Sequence, residues 1–290
     1  MKIQKSFKGE EKSGKLYLVP TPIGNLQDIS LRALEVLKAV DVICAEDTRN
    51  TGQLLKHFSI PGRQVSFHEH NAREKIPGLL ALLEAGQSIA QVSDAGMPSI
   101  SDPGHDLVLA AIEKDIPVIA LPGPSAGLTG LIASGLLPQP HVFYGFLPRK
   151  KGQQRAFFES KKDYPETQIY YESPYRLVDT LTNIKEVYGN RQVVLVRELT
   201  KLYEEYQRGY CEEIIAHLES NPVKGECLLL VAGAQSSRPS TEVIDPLELV
   251  EELIAQGEKT NHAIKKIAKT YGLNRQELYH SYHGLDSEVD

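Results

Sequence analysis

Apolar runs that alternate with helical patterns constrain this chain more than any other feature. Runs at 16–19, 42–45, 65–68, 89–92 and 118–121 have the length of buried strands. Between them apolar residues recur at helical spacing, as at Leu31, Leu34 and Leu37, or Leu107, Val108, Ala111 and Ile112. Strands alternating with helices imply an α/β fold, with a mainly parallel sheet and right-handed crossovers. The C-terminal ends of such strands share one edge, where ligands bind. The loops at Pro20, Glu46, Ser93 and Pro122 are therefore expected to crowd one crevice. The loop at 93–101 is long against the ~2–6 residues usual for a strand-to-helix link, which favours a binding loop over a plain connection. Asp102 and Pro103 behind it fit the N-cap and first position of the next helix.

Leu136-Leu137-Pro138-Gln139-Pro140 marks a domain boundary, since proline cannot continue a helix. A second α/β unit follows, with strands at 141–146, 168–171, 192–197 and 226–231 and helices around 153–162, 175–188 and 212–219. One further strand is allowed at 203–210. A Ser-rich linker at 233–241 leads to three short helices at 246–256, 261–271 and 275–282, broken at Gly257 and Gly272. The expected layout is a flexible tail at 1–15, α/β domains at 16–136 and 141–233, and a helical, helix-turn-helix-like domain at 245–284.

Nothing approaches the ~20 apolar residues of a membrane span. Residues 1–15 are polar and basic, which fits a frayed or RNA-touching tail and no secretory signal. Cys44, Cys211 and Cys227 are widely spaced and read as reduced residues of a cytoplasmic protein. A net charge of -6 supplies no global field for nucleic acid, so any RNA contact needs a local patch. Lys259, Lys265, Lys266, Lys269 and Arg275 offer one on the last helices, with solvated surface or a dimer brace as the alternative. Arg149, Lys150, Lys151 and Arg155 form a second cluster, which an ordinary charged loop also explains.

Most short signatures are absent. There is no Gly-x-Gly-x-x-Gly, and 9–15 has P-loop spacing but Leu16 where a magnesium-binding Ser or Thr belongs. No His-Glu-x-x-His or Cys-x-x-Cys suggests a metal. Gly123-Pro124-Ser125-Ala126-Gly127 matches a nucleophile elbow at a strand-to-helix turn. Its partners would be residues such as His217 or His262, which sit in helical patterns with no route to Ser125. The loops mainly offer exposed backbone: Ser93, Ala95, Gly96, Gly123, Ser125 and Ala126 let a ligand approach main-chain groups. Asp94 can accept from a ribose hydroxyl or balance a cation, or else cap its own loop.

The chain resembles the tetrapyrrole methylase superfamily, and within it the ribosomal RNA small subunit methyltransferase I family. The residues that carry this are 17–29 (Tyr-Leu-Val-Pro-Thr-Pro-Ile-Gly-Asn-Leu-Gln-Asp-Ile), 45–49 (Ala-Glu-Asp-Thr-Arg), 93–104, 121–126, 171–174 (Tyr-Glu-Ser-Pro), 197–201 (Arg-Glu-Leu-Thr-Lys) and 224–226 (Lys-Gly-Glu). They span nearly the whole chain in order. Met97 departs from the pattern: that family more often has Thr there, and the superfamily Asp. The resemblance implies S-adenosylmethionine bound between the two α/β domains, which gives Ser125 a cofactor role. It implies that Ile23, Met97, Ile100, Ser125 and Ala126 line the site, shaped by Ser93, Asp94 and Gly96. Tyr171, Leu199 and Glu226 join from the second domain. Core packing is the alternative for Ile23 and Ile100.

The implied reaction is methylation of a cytidine ribose 2′-hydroxyl in 16S rRNA, on RNA or the small ribosomal subunit, by a cytoplasmic homodimer. A ribose hydroxyl is a poor nucleophile, so a base or an alkoxide-stabilising cation is expected. Glu46 or Asp47 is the expected base, with Arg49 or Lys201 holding a phosphate or the hydroxyl. An internal salt-bridge cluster is the alternative for all four. Glu172 is a further candidate, or a helix cap. Two other functions stand beside this one: methylation of a tetrapyrrole carbon, and a non-enzymatic RNA-binding module on the same scaffold.

Overall fold

A computed structural model describes residues 1–4, 14–234 and 245–283. Residues 1–234 form one compact unit and 235–290 a second. The first unit holds two five-stranded sheets. In chain order its first half runs β1 (Leu16–Leu18), α1 (Leu31–Ala39), β2 (Val42–Ala45), α2 (Thr48–His57), β3 (Arg63–Ser66) and α3 (Ala72–Glu84). It continues through β4 (Ile89–Val92), α4 (Gly104–Glu113), β5 (Val118–Ala120) and α5 (Ala126–Ser134). The strands lie in the order β3-β2-β4-β1-β5, all parallel. Both faces are buried, which is why these strands read as continuous apolar runs. Ile43 and Ala45 join Ala33, Leu37 and Leu55 on one side, while Val42 and Cys44 join Leu79, Leu83 and Leu107 on the other. The crossover order places the C-terminal ends of β1, β2, β4 and β5 side by side, as the alternation requires.

The second half runs β6 (His141–Phe146), α6 (Lys151–Glu159), β7 (Thr167–Glu172), α7 (Leu177–Tyr188), β8 (Gln192–Arg197), β9 (Glu205–Tyr210), α8 (Cys211–Ser220) and β10 (Cys227–Val231). Its order is β6-β7-β10-β8-β9, and only β6 and β7 pair in parallel. The segment at 203–210 is a strand, paired as a hairpin with β8 along a polar edge. One face of this sheet packs on α6, α7 and α8 through Phe158, Leu181, Leu195, Ile214 and Leu229. The other carries Ile169, Val196, Leu228 and Leu230 against Leu131 and Leu136. Gly130 brings α5 close: a Cβ there would lie 2.3 Å from Leu228 Cδ2.

Boundaries shift where capping decides them. Helix α4 begins at Gly104 with Pro103 at its N-cap, one residue later than Asp102 and Pro103 suggested. Asp102 still does a cap's work, its Oδ1 accepting from the Gly104 N–H at 2.9 Å. Two of the four described residues of the tail bond to the body of the first unit. Lys2 Nζ donates to the Ile112 and Glu113 carbonyls at 2.6 and 2.8 Å, and Gln4 exchanges bonds with the Val118 backbone. Residues 5–13, and the expected linker from 235 onward, lie outside the described residues.

The second unit comprises α9 (Pro246–Ala255), α10 (Thr260–Tyr271) and α11 (Arg275–Tyr282) around Val250, Ile264, Ile267 and Leu278. Asp245 and Asn274 cap α9 and α11, and Gly272 ends α10 in the left-handed region at φ 66°. Among the described residues no helix is long and apolar enough to cross a membrane.

Candidate active site

A cavity of about 1020 Å³ lies between the strand ends of the first sheet and the α5-facing side of the second. Its floor is the β4–α4 loop. Gly96 sits at φ 79°, where other residues are strained. It forms a two-bond bridge with Thr21, each N–H donating to the other's carbonyl at 3.0 Å. The Thr21 hydroxyl donates to the Ser93 carbonyl at 3.1 Å, so two strand-end loops are tied together. The far end of the loop is anchored by Asp102. Its Oδ1 accepts from buried Gln91 Nε2 at 2.7 Å and its Oδ2 from the Ser99 N–H at 2.7 Å. Ser99 is held at φ 67° by this clamp.

The β5–α5 loop forms the facing wall. Gly123 must be glycine, because a Cβ would meet Pro20 at 2.4 Å. The Ser125 side chain makes no cap hydrogen bond to α5, and both Ser125 and Ala126 border the cavity. Of the described histidines of the first unit, only His141 lines the cavity; His217 does not.

The second sheet contributes Phe143, Ile169, Tyr171, Val196 and Leu228. Phe143 and Tyr171 meet edge to face with centroids 5.0 Å apart. Burial, then the charge of Glu226, pushes the Tyr171 hydroxyl up, so it stays protonated. Leu199 closes the far side from the β8–β9 loop, where Glu198 and Thr200 take φ 51° and 67°. That loop locks onto 224–226. The Glu226 N–H donates to Glu198 Oε1 at 2.9 Å, and Lys201 Nζ bridges Glu198 and Glu226 at 3.0 and 2.9 Å. Lys201 also packs on the first sheet's loop: a Cβ on Gly24 would lie 2.5 Å from Lys201 Cγ.

Every residue expected to line a cofactor site borders this one cavity: Ile23, Ser93, Asp94, Gly96, Met97, Ile100, Ser125, Ala126, Tyr171, Leu199 and Glu226. Of the residues expected to do chemistry, Glu46 borders it, and Asp47, Arg49 and Lys201 do not. Burial, then the nearby charge of Asp94, pushes the Glu46 carboxyl above its ordinary value; an Asp94 N–H pulls it back in part, and Asp102 adds to the rise. Asp47 is committed elsewhere. It caps α2, accepting from the Arg49 N–H at 2.8 Å, and pairs with the Arg49 guanidinium at 2.6 Å. Hydrogen bonding from the Arg49 side chain holds it at about 2. Burial works against the Lys201 ammonium, but the hydrogen bonds it donates to Glu226 and Glu198 outweigh it and raise its pKa. Lys201 therefore belongs to a three-member ion cluster at the cavity edge. Glu172 also borders the cavity but is buried and engaged, accepting from Thr180 Oγ1 at 2.8 Å and pairing with Arg176 at 3.3 Å.

Sequence reasoning missed Phe143, Phe146, Ile169 and Leu228. The β6, β7 and β10 patterns identify them as strand residues, but both faces of that sheet are apolar, and nothing local says which face meets the cavity.

A family model described as Tetrapyrrole (Corrin/Porphyrin) Methylases matches residues 15–215. The chain is 68% identical over 287 residues to the ribosomal RNA small subunit methyltransferase I of Streptococcus pyogenes serotype M1, covering 98% of this chain and 100% of that one. It is 43% identical over 285 residues to the protein of that name from Bacillus subtilis strain 168, covering 97% and 98%. Among solved structures, the uroporphyrin-III C-methyltransferase of Thermus thermophilus in complex with S-adenyl homocysteine superposes with a TM-score of 0.53. The two are 20% identical, over 76% of this chain and 97% of that one, a likeness of fold.

Proposed function

The chain belongs to the tetrapyrrole methylases and, within them, to the ribosomal RNA small subunit methyltransferases I, and from that premise we propose that it methylates a cytidine ribose 2′-hydroxyl in 16S rRNA. The methyl donor of this reading is S-adenosylmethionine. The observation that carries it is the cavity walled by small-residue loops on one side and an aromatic pair on the other. Exposed backbone at 94–95 and along 123–126 suits the polar edges of a nucleoside, and Asp94 and Glu226 suit its hydroxyls and cationic centres. Ile23, Leu199 and Val196 supply apolar walls. Bound there, the sulfonium supplies an already activated methyl group, which leaves alignment and proton removal to the protein.

Glu46 is the residue for the second task. A carboxylate with a raised pKa is a stronger base than an ordinary one. Asp47 is too acidic and too occupied to compete. Arg49, 85% exposed along its side chain, is available to an RNA phosphate while it holds Asp47. Lys201 positions Glu226 rather than meeting substrate. A cytoplasmic homodimer is part of the same reading; α5 leaves Leu128 and Ile132 exposed at 51% and 79%, an apolar pair that a second copy would cover. Sedimentation velocity reads that state directly.

The test is transfer of labelled methyl from S-adenosylmethionine to immature small-subunit particles, to their naked RNA, or to a tetrapyrrole. Label on a ribose of the RNA, mapped by resistance of that linkage to alkali, is the expected result. Label on the tetrapyrrole carbon, or on nothing, overturns the proposal.

A further inference from the structure

The large cavity has a smaller neighbour, of about 420 Å³, that shares Ser93 and Asp94 with it. Pro22 and Leu26 of the β1–α1 loop form one wall. Asn50, Gln53, Leu54 and His57 form the other, four positions on one face of α2 at helical spacing. Apolar surface thus faces apolar surface, with amide and imidazole groups along one rim. Asp94 is fixed at the junction: its Oδ1 accepts from the Asp47 N–H and its Oδ2 from Asn50 Nδ2, each at 3.1 Å. The exposed Gln53 amide has no hydrogen-bond partner among the described residues.

We infer that this smaller cavity takes the nucleobase of the substrate nucleotide, turned out of its stack. The inference rests on the proposed ribose methylation. A ribose whose 2′-oxygen faces the large cavity sits at Asp94, the point where the two cavities meet. Its base must then leave on the other side, and the smaller cavity opens there. Flat apolar walls at Pro22, Leu26 and Leu54 match the faces of a base, and an amide carries both the donor and the acceptor that a pyrimidine edge pairs with. A base paired within a helix cannot enter, so the nucleotide is read unstacked, the usual way RNA sequence is recognised.

The experiment uses the full-length chain with small-subunit particles reconstituted on RNA that is either intact or abasic at the methylated position. Gln53 is an exposed helix residue, so Gln53→Ala and Gln53→Trp leave the fold in place, as thermal unfolding verifies. On intact RNA, Gln53→Ala lowers kcat/KM about 10-fold, in line with loss of one base-edge contact. On abasic RNA the wild-type chain is already slowed, and Gln53→Ala slows it no further. Gln53→Trp, which fills the cavity, slows intact RNA more than abasic RNA. The affinity for S-adenosylmethionine, read by calorimetry, stays constant throughout. Equal slowing by Gln53→Ala on both RNAs, or equal wild-type rates on both, overturns the inference. Absence of transfer from the wild-type chain to intact particles instead removes the ribose-methylation reading, and this inference with it.

Discussion

Glu46 and Asp47 are adjacent, alike in charge, and opposite in electrostatic situation. Both follow β2 at the crevice edge, and nothing in their order distinguishes a base from a cap. What separates them is their surroundings: burial and then the charge of Asp94, distant in sequence, raise Glu46, whereas Asp47 pairs with Arg49 two residues on. The prediction for Glu46→Gln is a fall in kcat of about 100-fold or more with unchanged cofactor affinity, because the amide keeps the shape and loses the basicity. The wild-type pH profile carries a limb on which kcat/KM rises as Glu46 loses its proton, above the ordinary carboxylate value of 4.5. That limb is absent in the variant. A variant that keeps both turnover and limb excludes Glu46 as the base. Asp47→Ala acts on stability instead, lowering Tm at pH 7 by about 2–4 °C, the usual size of a lost cap in a chain of this length. A carboxyl depressed to about 2 stabilises above its unfolded value of 3.8. The Tm difference therefore shrinks as pH falls from 3.8 toward 2.

The β4–α4 loop shows what legibility means for an element. Its strand, its excess length and its small residues are all local properties, so the floor of the cavity could be read from the chain alone. The same holds for the turns at Pro20 and Pro122, because parallel topology alone gathers strand C-ends at one edge. The clamp that shapes the loop was not legible, since it depends on Gln91 pointing from a buried strand toward Asp102. Nor was the antiparallel pairing of the second sheet: apolar alternation reports burial, and strand direction depends on connections whose path it does not contain. The clamp makes a prediction. Asp102→Ala leaves the buried Gln91 Nε2 without its acceptor, at a cost of about 1–3 kcal/mol, and frees Ser99 from its left-handed conformation. The expected kinetics are a raised KM for S-adenosylmethionine with kcat little changed, since no reacting group is touched. Gly104→Ala reproduces this by a different route, because its Cβ would fall 1.9 Å from Gln91 Nε2. If both variants keep the wild-type KM, the loop holds its shape without the clamp.

At the scale of the whole molecule, a net charge of -6 sets the problem of binding a polyanion. The charge is not spread evenly. On α10 the buried face carries Ala263, Ile264, Ile267 and Ala268, which leaves Lys265, Lys266 and Lys269 together on the exposed side. Lys266 is engaged by Glu258 at 3.6 Å, and Glu258 also holds His262. Lys259, Lys265, Lys269 and Arg275 have no ion pair among the described residues. Cations left unpaired by their own chain are the ones that exchange counterions with phosphate, and each such contact adds to the salt dependence of binding. Replacing Lys265 and Lys269 together by Glu therefore weakens binding to small-subunit particles and flattens the slope of log K against log salt by about 2. The same pair of substitutions leaves the affinity for S-adenosylmethionine unchanged, because the second unit has its own core and the residues proposed to hold the cofactor, Ile23 to Glu226, belong to the first. A slope that does not move assigns the RNA contact to the first unit, where Arg49 and the cluster at Arg149, Lys150, Lys151 and Arg155 must then carry it. Arg155 is the weakest member of that alternative, already held by Glu186 on α7. Calorimetry with the cofactor and a salt titration with the particle thus test separately whether the first unit holds the cofactor and the second the RNA.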